Sequence, residues 1–332
     1  MPRRALIFAL LLTGALPLAG GCSHHGANKD PRPHMPRVAE TSRYYDAPGP
    51  VPRPSLVEPI ARKDLTEWWR LEVPARVPDE LADVPHAKDP IEILVGLPRP
   101  AGTKLPLVVL LPILNNTNLL MPEFGSGFIR QGYAVAILPR KEVGFDPHRT
   151  VDAAEEELRL LVLRERQAID VLTKDPRIDG DRVAVFGVSA GAMLGVTLMA
   201  VDPRIKAGVF VFAGGPLSDV MVDSTEGRVQ DGLAEIRKAR GWTNDDIRAA
   251  LEHTVRTDPL RLAGHVPRDD VLLFVATKDD SVPSTAQHAL REALGRPETR
   301  EIHTGHYVGV GLFFPHILGH ARDFLGRRLG PP

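Results

Sequence analysis

The chain has 332 residues, 43% of them hydrophobic, which is enough to bury one large core or two small ones. Its formal net charge is −1 and only 5% of residues are aromatic, so it carries no nucleic-acid footprint: no basic stripe, and no basic run with interleaved aromatics to stack bases. A single cysteine excludes an intramolecular disulfide framework, and no internal repeat or heptad pattern runs through the sequence.

The chain opens with a short positive stretch, Met1-Pro-Arg3-Arg4, followed by an apolar run from Ala5 to Leu18 broken by Thr13, Gly14 and Pro17. That run is too short to span a bilayer and has the form of a secretory signal. It ends in Leu18-Ala19-Gly20-Gly21-Cys22, which resembles a bacterial lipobox, with Ala19 standing where leucine is usual. The resemblance implies a signal peptide over residues 1–21 and a lipidated Cys22 as the first mature residue. It also implies a protein held by lipid at the periplasmic face of the cell envelope, Ser23 pointing to the outer membrane. The plain alternative is an ordinary cleaved signal that releases a soluble protein. From Ser23 to about Pro54 the composition shifts to Pro, His, Arg and Gly, which reads as an extended tether (residues 22–55) ahead of a domain from residue 56 to 332. His24, His25 and His34 have no cysteine or carboxylate at ligand spacing, so no metal site is expected there.

Beyond Leu56 the pattern becomes globular. Trp68–Val73 and Ile91–Leu97 read as strands, and Pro98-Arg-Pro-Ala-Gly102 closes the second. Leu105–Leu111 and Tyr133–Leu138 are continuous apolar runs, expected of strands buried on both faces. Val151–Leu172 has helical periodicity, with Leu158, Leu161, Ala168 and Leu172 on one stripe and a Glu155–Arg159 pair on the solvent side. Arg182-Val-Ala-Val-Phe runs into Gly187-Val188-Ser189-Ala190-Gly191 and then into a small-residue helix, the strand–turn–helix setting of a nucleophile elbow. The glycines answer to crowding at that turn, and the turn lifts the Ser189 hydroxyl clear of the sheet beside the first helix amides. A turn whose serine merely caps the helix is the plain reading. Strands follow at Ala207–Phe212, Val271–Ala276 and around Thr299–His303. Between the first two lies a charged, helical insertion over residues 217–266, expected to act as a lid, or otherwise to decorate the surface away from the site. Strands alternating with helices predict an α/β fold, a mostly parallel sheet with helices on both faces.

This order resembles the α/β-hydrolase superfamily over roughly Leu65–Leu329, implying a twisted sheet of about eight strands. Asp279-Asp280-Ser281-Val282-Pro283 resembles that family's acid loop, and aligning Val282-Pro283 makes Asp279 the acid, with Asp280 the alternative. Gly305-His306-Tyr307 resembles its histidine loop, and Ser189, Asp279, His306 fall in the chain order that this fold requires. In chemical terms Ser189 needs a base to attack a carbonyl, His306 can take and return that proton, and Asp279 can hold the imidazole's tautomer. His303 is the competing histidine, expected to be structural within the last strand. The oxyanion donors implied are the amide of Ala190 and one from Pro112-Ile113-Leu114-Asn115-Asn116, where many relatives carry a His-Gly pair. Ile113 and Leu114 are the candidates, with Leu114 preferred. His316 and His320 lie four apart on a helix, but Ile317 stands where a zinc motif needs glutamate, so no metal and no organic cofactor is implied.

The resemblance therefore implies a serine hydrolase of carboxylesterase type acting through an acyl-serine, on a small-molecule ester or a short peptide. The alternatives are a serine peptidase resembling the prolyl-oligopeptidase group, and a non-catalytic hydrolase fold used as an envelope binding module.

Overall fold

The computed structural model of the chain describes residues 22–26, 39–63, 66–100, 104–113, 121–139 and 152–331. The expected signal peptide and Leu114 lie outside them. Among the described residues one sheet is built from β1 (Cys22–His25), β2 (Ser55–Lys63), β3 (Thr66–Val73), β4 (Ile91–Pro98), β5 (Leu105–Leu111), β6 (Ala134–Ile137), β7 (Ile178–Val188), β8 (Ile205–Val211), β9 (Val271–Ala276) and β10 (Glu298–Ile302). Their order is β1-β10-β9-β8-β7-β5-β6-β4-β3-β2. From β6 through β5, β7, β8 and β9 to β10 the neighbours run parallel. Beyond those limits β4, β3 and β2 on one side, and β1 on the other, are antiparallel.

The helices are α1 (Ala39–Arg43), α2 (Met121–Ile129), α3 (Asp152–Leu172), α4 (Ala190–Val201), α5 (Leu217–Asp223), α6 (Gly227–Arg240), α7 (Asn244–Thr254), α8 (Pro259–Leu262), α9 (Ser284–Ala293), α10 (His306–Leu312) and α11 (Phe314–Leu329). Strand alternation sorts the core onto two faces. Leu107, Val109 and Leu111 of β5 join α3, α4, α9 and the insertion helices. Val108 and Leu110 join α2 and α11, where Phe124 meets Phe186 at 4.6 Å and Phe314 at 4.5 Å between ring centroids. With both faces covered, β5, β6 and β9, together with β7 from Val183 and β8 from Ala207, are fully buried, which is why these stretches are apolar.

Four expectations are corrected. The sheet has ten strands and is mixed, where about eight mostly parallel strands were expected. The additions, β1 and β2, are edge strands: β1 is Cys-Ser-His-His, and β2 contains Pro59 and two register shifts, so neither shows the alternation that announces a strand. Parts of the stretch expected as a tether are built into the domain: β1 joins the sheet, and the chain packs on it again from Ala39. Tyr45 is 2% exposed and its hydroxyl meets Thr257 Oγ1 at 3.0 Å. The Glu155–Arg159 side of α3 is covered instead of wet. Glu155 is 6% exposed and accepts from Tyr44 Oη (3.0 Å), Arg256 N (2.8 Å), Thr257 N (2.7 Å) and Thr257 Oγ1 (2.7 Å). A paired Glu and Arg look alike in sequence whether water or a distant segment covers them. Lastly, His306 and Tyr307, expected as part of a loop, open a helix, α10.

Between β8 and β9 the insertion is helical, as its pattern required: α5 to α8, closed by a short 3-10 turn at Ala263–His265. Its first residue is tied back to the N-cap of α8, where the Leu217 amide donates to Asp258 Oδ2 at 2.6 Å. Burial raises the Asp258 pKa against the pull of the three amides that it accepts from.

Candidate active site

At Ser189 the chain leaves β7 and enters α4 in a single residue, with φ 55 and ψ −123. Such a conformation costs a non-glycine residue on the order of 1–3 kcal/mol, so the surroundings must impose it. They do so by crowding. A Cβ on Gly191 would stand 2.6 Å from the Pro112 carbonyl oxygen, and one on Gly187 would stand 2.7 Å from Ala192 Cα. The Ser189 amide is tied across to Val211 O at 2.8 Å. The close approach at Gly191 also seats the segment after β5 beside the elbow. Ala190 and Ile113 are both half-buried there, Ile113 packing on the α2–α11 face of the core. As the first residue of α4, Ala190 has an amide with no partner inside its helix.

Asp279 and His306 come from the neighbouring strand ends. Backbone bonds stitch the two loops together: Thr277 N to Ile302 O (3.0 Å), and Lys278 N to Thr304 O (3.0 Å). Across this seam His306 Nδ1 meets Asp279 Oδ2 at 2.6 Å, with both residues buried. The carboxylate's other oxygen accepts from the amides of Ser281 and Val282, each at 2.9 Å. With Nδ1 committed to Asp279, the imidazole's chemistry toward a substrate falls to Nε2. Phe212 links this pair to the elbow. It follows Val211, sits at φ 58, and its ring lies 5.7 Å from that of His306.

The competing residues are placed elsewhere. Asp280 is exposed. His303, expected within the last strand, lies one residue past β10, is exposed, and pairs its Nδ1 with Thr277 Oγ1 at 2.9 Å. Gly305 precedes His306 in the loop after β10. Its φ is −83, which any residue adopts, and what crowds it is the Lys278 carbonyl, 3.4 Å from where a Cβ would stand. His316 and His320 meet edge to face at 4.3 Å, and burial with the nearby Arg300 lowers both pKa values. Among the described residues no three His, Cys, Asp or Glu side chains gather as a metal group. Cys22 opens β1, paired with Ile302 of β10.

The insertion touches this site through the turn joining α5 to α6. Ser224 Oγ donates to Ser281 O (2.6 Å), Thr225 N donates to Asp280 O (2.9 Å), and Glu226 Oε2 accepts from Tyr307 Oη (2.5 Å). Tyr307 stacks edge-on against His306 at 5.4 Å, and partial burial with Glu226 pushes its pKa up to about 12. Tyr307, Val308 and Leu312 leave α10 with apolar surface in solvent. Sequence reading missed Phe212, Glu226 and Gln287, whose amide also bonds Asp279 (Gln287 Nε2 to Oδ2, 2.9 Å). Only Gln287 left a trace, as a polar residue beside Ala286 and Leu290 on the apolar side of its helix.

No protein-family model matches the chain, and no curated protein matches it. Solved structures do. An acetyl xylan esterase from Paenibacillus sp. R4 is 18% identical over 88% of this chain and 92% of its own, with a TM-score of 0.63. Acetyl xylan esterase 1 from Thermoanaerobacterium sp. JW/SL YS485 is 17% identical over 87% and 94%, with a TM-score of 0.64. A CE15 glucuronoyl esterase from Teredinibacter turnerae T7901 is 16% identical over 87% and 82%, with a TM-score of 0.52. At these identities the likeness is one of fold, which the chain shares with esterases of α/β-hydrolase type.

Proposed function

We propose that the chain is a serine hydrolase that cleaves carboxylic esters through an acyl-serine intermediate. The observation that carries this reading is the buried 2.6 Å pair of His306 and Asp279, set beside an elbow that holds Ser189 at φ 55. Ser189 Oγ attacks the ester carbonyl carbon as His306 Nε2 takes its proton. The oxyanion accepts from the Ala190 amide and from an amide of the segment after β5, Ile113 or Leu114. As the tetrahedral centre collapses, the alcohol leaves with the proton held by His306. Water, deprotonated by the same nitrogen, then releases the acid and frees the serine. The fold shared with acetyl xylan and glucuronoyl esterases favours esters over peptides as substrates. The contacts from Ser224, Thr225 and Glu226 support a lid role for the insertion.

The reading includes anchorage at the cell envelope through a lipid on Cys22, supported by the apolar run and the Leu18–Cys22 motif. One set of experiments tests the whole. Wild type should react with a fluorophosphonate and turn over esters in preference to amino-acid amides. Ser189→Ala should lose labelling and at least about 10³-fold of turnover, with an unchanged melting temperature. Labelling retained in that variant moves the nucleophile elsewhere, and a faster amide reaction selects the peptidase. The mature terminus should carry lipid mass and partition into detergent, and Cys22→Ala should do neither.

A further inference from the structure

The carboxylate of Asp279 has four lone-pair sites and four donors. Two are backbone amides on Oδ1, and His306 is one of the two on Oδ2. The fourth is Gln287, from the first turn of α9, a residue 0% exposed. We infer that Gln287 is a positioning residue of the catalytic apparatus, its amide setting both the orientation of Asp279 and how much of its charge reaches His306. This rests on the hydrolase reading, since it assigns a role within that chemistry.

The amide is fixed at three points. Its Oε1 accepts from the Ala276 amide at 3.0 Å, where β9 ends. Its Nε2 donates to Val282 O at 2.8 Å and to Asp279 Oδ2 at 2.9 Å. Rotating the group by a half turn would set Oε1 against a carboxylate and a carbonyl, and the NH₂ against an N–H. All three contacts would turn repulsive, so the orientation is decided by chemistry. No rotation of the Asp279 carboxyl improves on the observed one either, because each oxygen is already held by two donors.

The consequence for reactivity follows from sharing. Oδ2 divides its charge between a neutral donor and the imidazole. With the Gln287 donor gone, more of that charge falls on Nδ1–H, and His306 holds its second proton more tightly. The titration of His306 then moves to higher pH, leaving less of the neutral base at pH 7. Gln287 thus acts through Asp279 and touches no substrate. A purely structural Gln287, tying α9 to the end of β9, would leave that titration where it is.

The test compares wild type with Gln287→Met, which keeps the length and loses the donor, and with Gln287→Asn, one methylene short of Asp279. The Nδ1 proton between His306 and Asp279 is followed by NMR against pH, and kcat/KM for an ester against pH. Other titratable groups close to the pair are Tyr307 with its partner Glu226, and Asp280 and Lys278 beside Asp279 in the loop, and none of them is altered. In Gln287→Met the His306 midpoint and the acid limb of kcat/KM should both rise by about one pH unit, roughly tenfold in proton affinity. Gln287→Asn should move them the same way by less, and KM should stay within about twofold in both. Folded variants with an unmoved midpoint overturn the inference, as does failure of both to fold, which would make Gln287 a support alone. If instead wild type neither labels nor hydrolyses esters, the hydrolase reading fails while the NMR comparison still reports on Gln287.

Discussion

Helix α4 joins two buried aspartates that are treated in opposite ways. At its C-terminal cap, at the foot of the parallel strands, Asp202 is 0% exposed and is gripped by Arg204 through Nε (2.9 Å) and Nη2 (2.5 Å), with Arg166 at 3.5 Å. Burial pushes its pKa up, but the bonds and charges of the two arginines win, and the balance is lowered. At the other end, beyond the elbow, Asp279 is 2% exposed, and no arginine or lysine bonds it among the described residues. Amides and one imidazole satisfy it. A carboxylate neutralised by guanidinium is committed to the fold, whereas one satisfied by neutral donors keeps a charge that, on the proposed function, meets the proton arriving on its histidine.

Exchanging each acid for its amide breaks this comparison most directly. Asp279→Asn should lose about 10³-fold or more of kcat/KM while melting within a few degrees of wild type. Asp202→Asn should keep its activity. An active Asp279→Asn would remove that residue from the chemistry. The two histidines sharpen the same division. His306→Gln should lose about 10³-fold, and His303→Gln should stay within about tenfold. A dead, folded His303 variant would reverse the assignment.

Stability supplies the next test. Because the Asp202 pKa is lower folded than unfolded, its contribution is complete above the ordinary carboxylate range and fades as pH falls through the folded value. Urea unfolding of Asp202→Asn should therefore show a loss of roughly 2–4 kcal/mol at pH 7 that shrinks below about pH 4. A loss independent of pH would mean that the arginines do not govern this site. The smallest effect is expected at the insertion. Glu226→Gln keeps the bond to Tyr307 and removes its charge, so KM values across a series of esters should shift by about two- to fivefold with the rate of probe labelling unchanged. Equal shifts for every ester would detach the insertion from selectivity.

How much of this the sequence announces depends on whether a residue's neighbours are local. β5 and β9 are legible because a strand covered on both faces must be apolar throughout, and the elbow is legible because only glycine fits the contacts at positions 187 and 191. Asp279 and His306 were reached through motif order, although their bond spans loops 27 residues apart. What could not be read is set by distant partners. Glu155 meets residues about a hundred positions on, and Gln287 carries on its face no sign of the strand end that it bonds. α10 was hidden by its brevity and by Gly309 and Gly311 within it.

The bond from Leu217 N to Asp258 Oδ2 has a further consequence. It ties the start of the insertion to the N-cap of α8, so α5, α6 and α7 hang from one point as a closed excursion. A segment tied off at its neck is an exchangeable cassette. Lengthening or replacing it costs little extra closure entropy, since that cost grows only with the logarithm of length. If the proposed function holds, one cover can be traded for another while Ser189, Asp279 and His306, all outside the tied segment, are left in place.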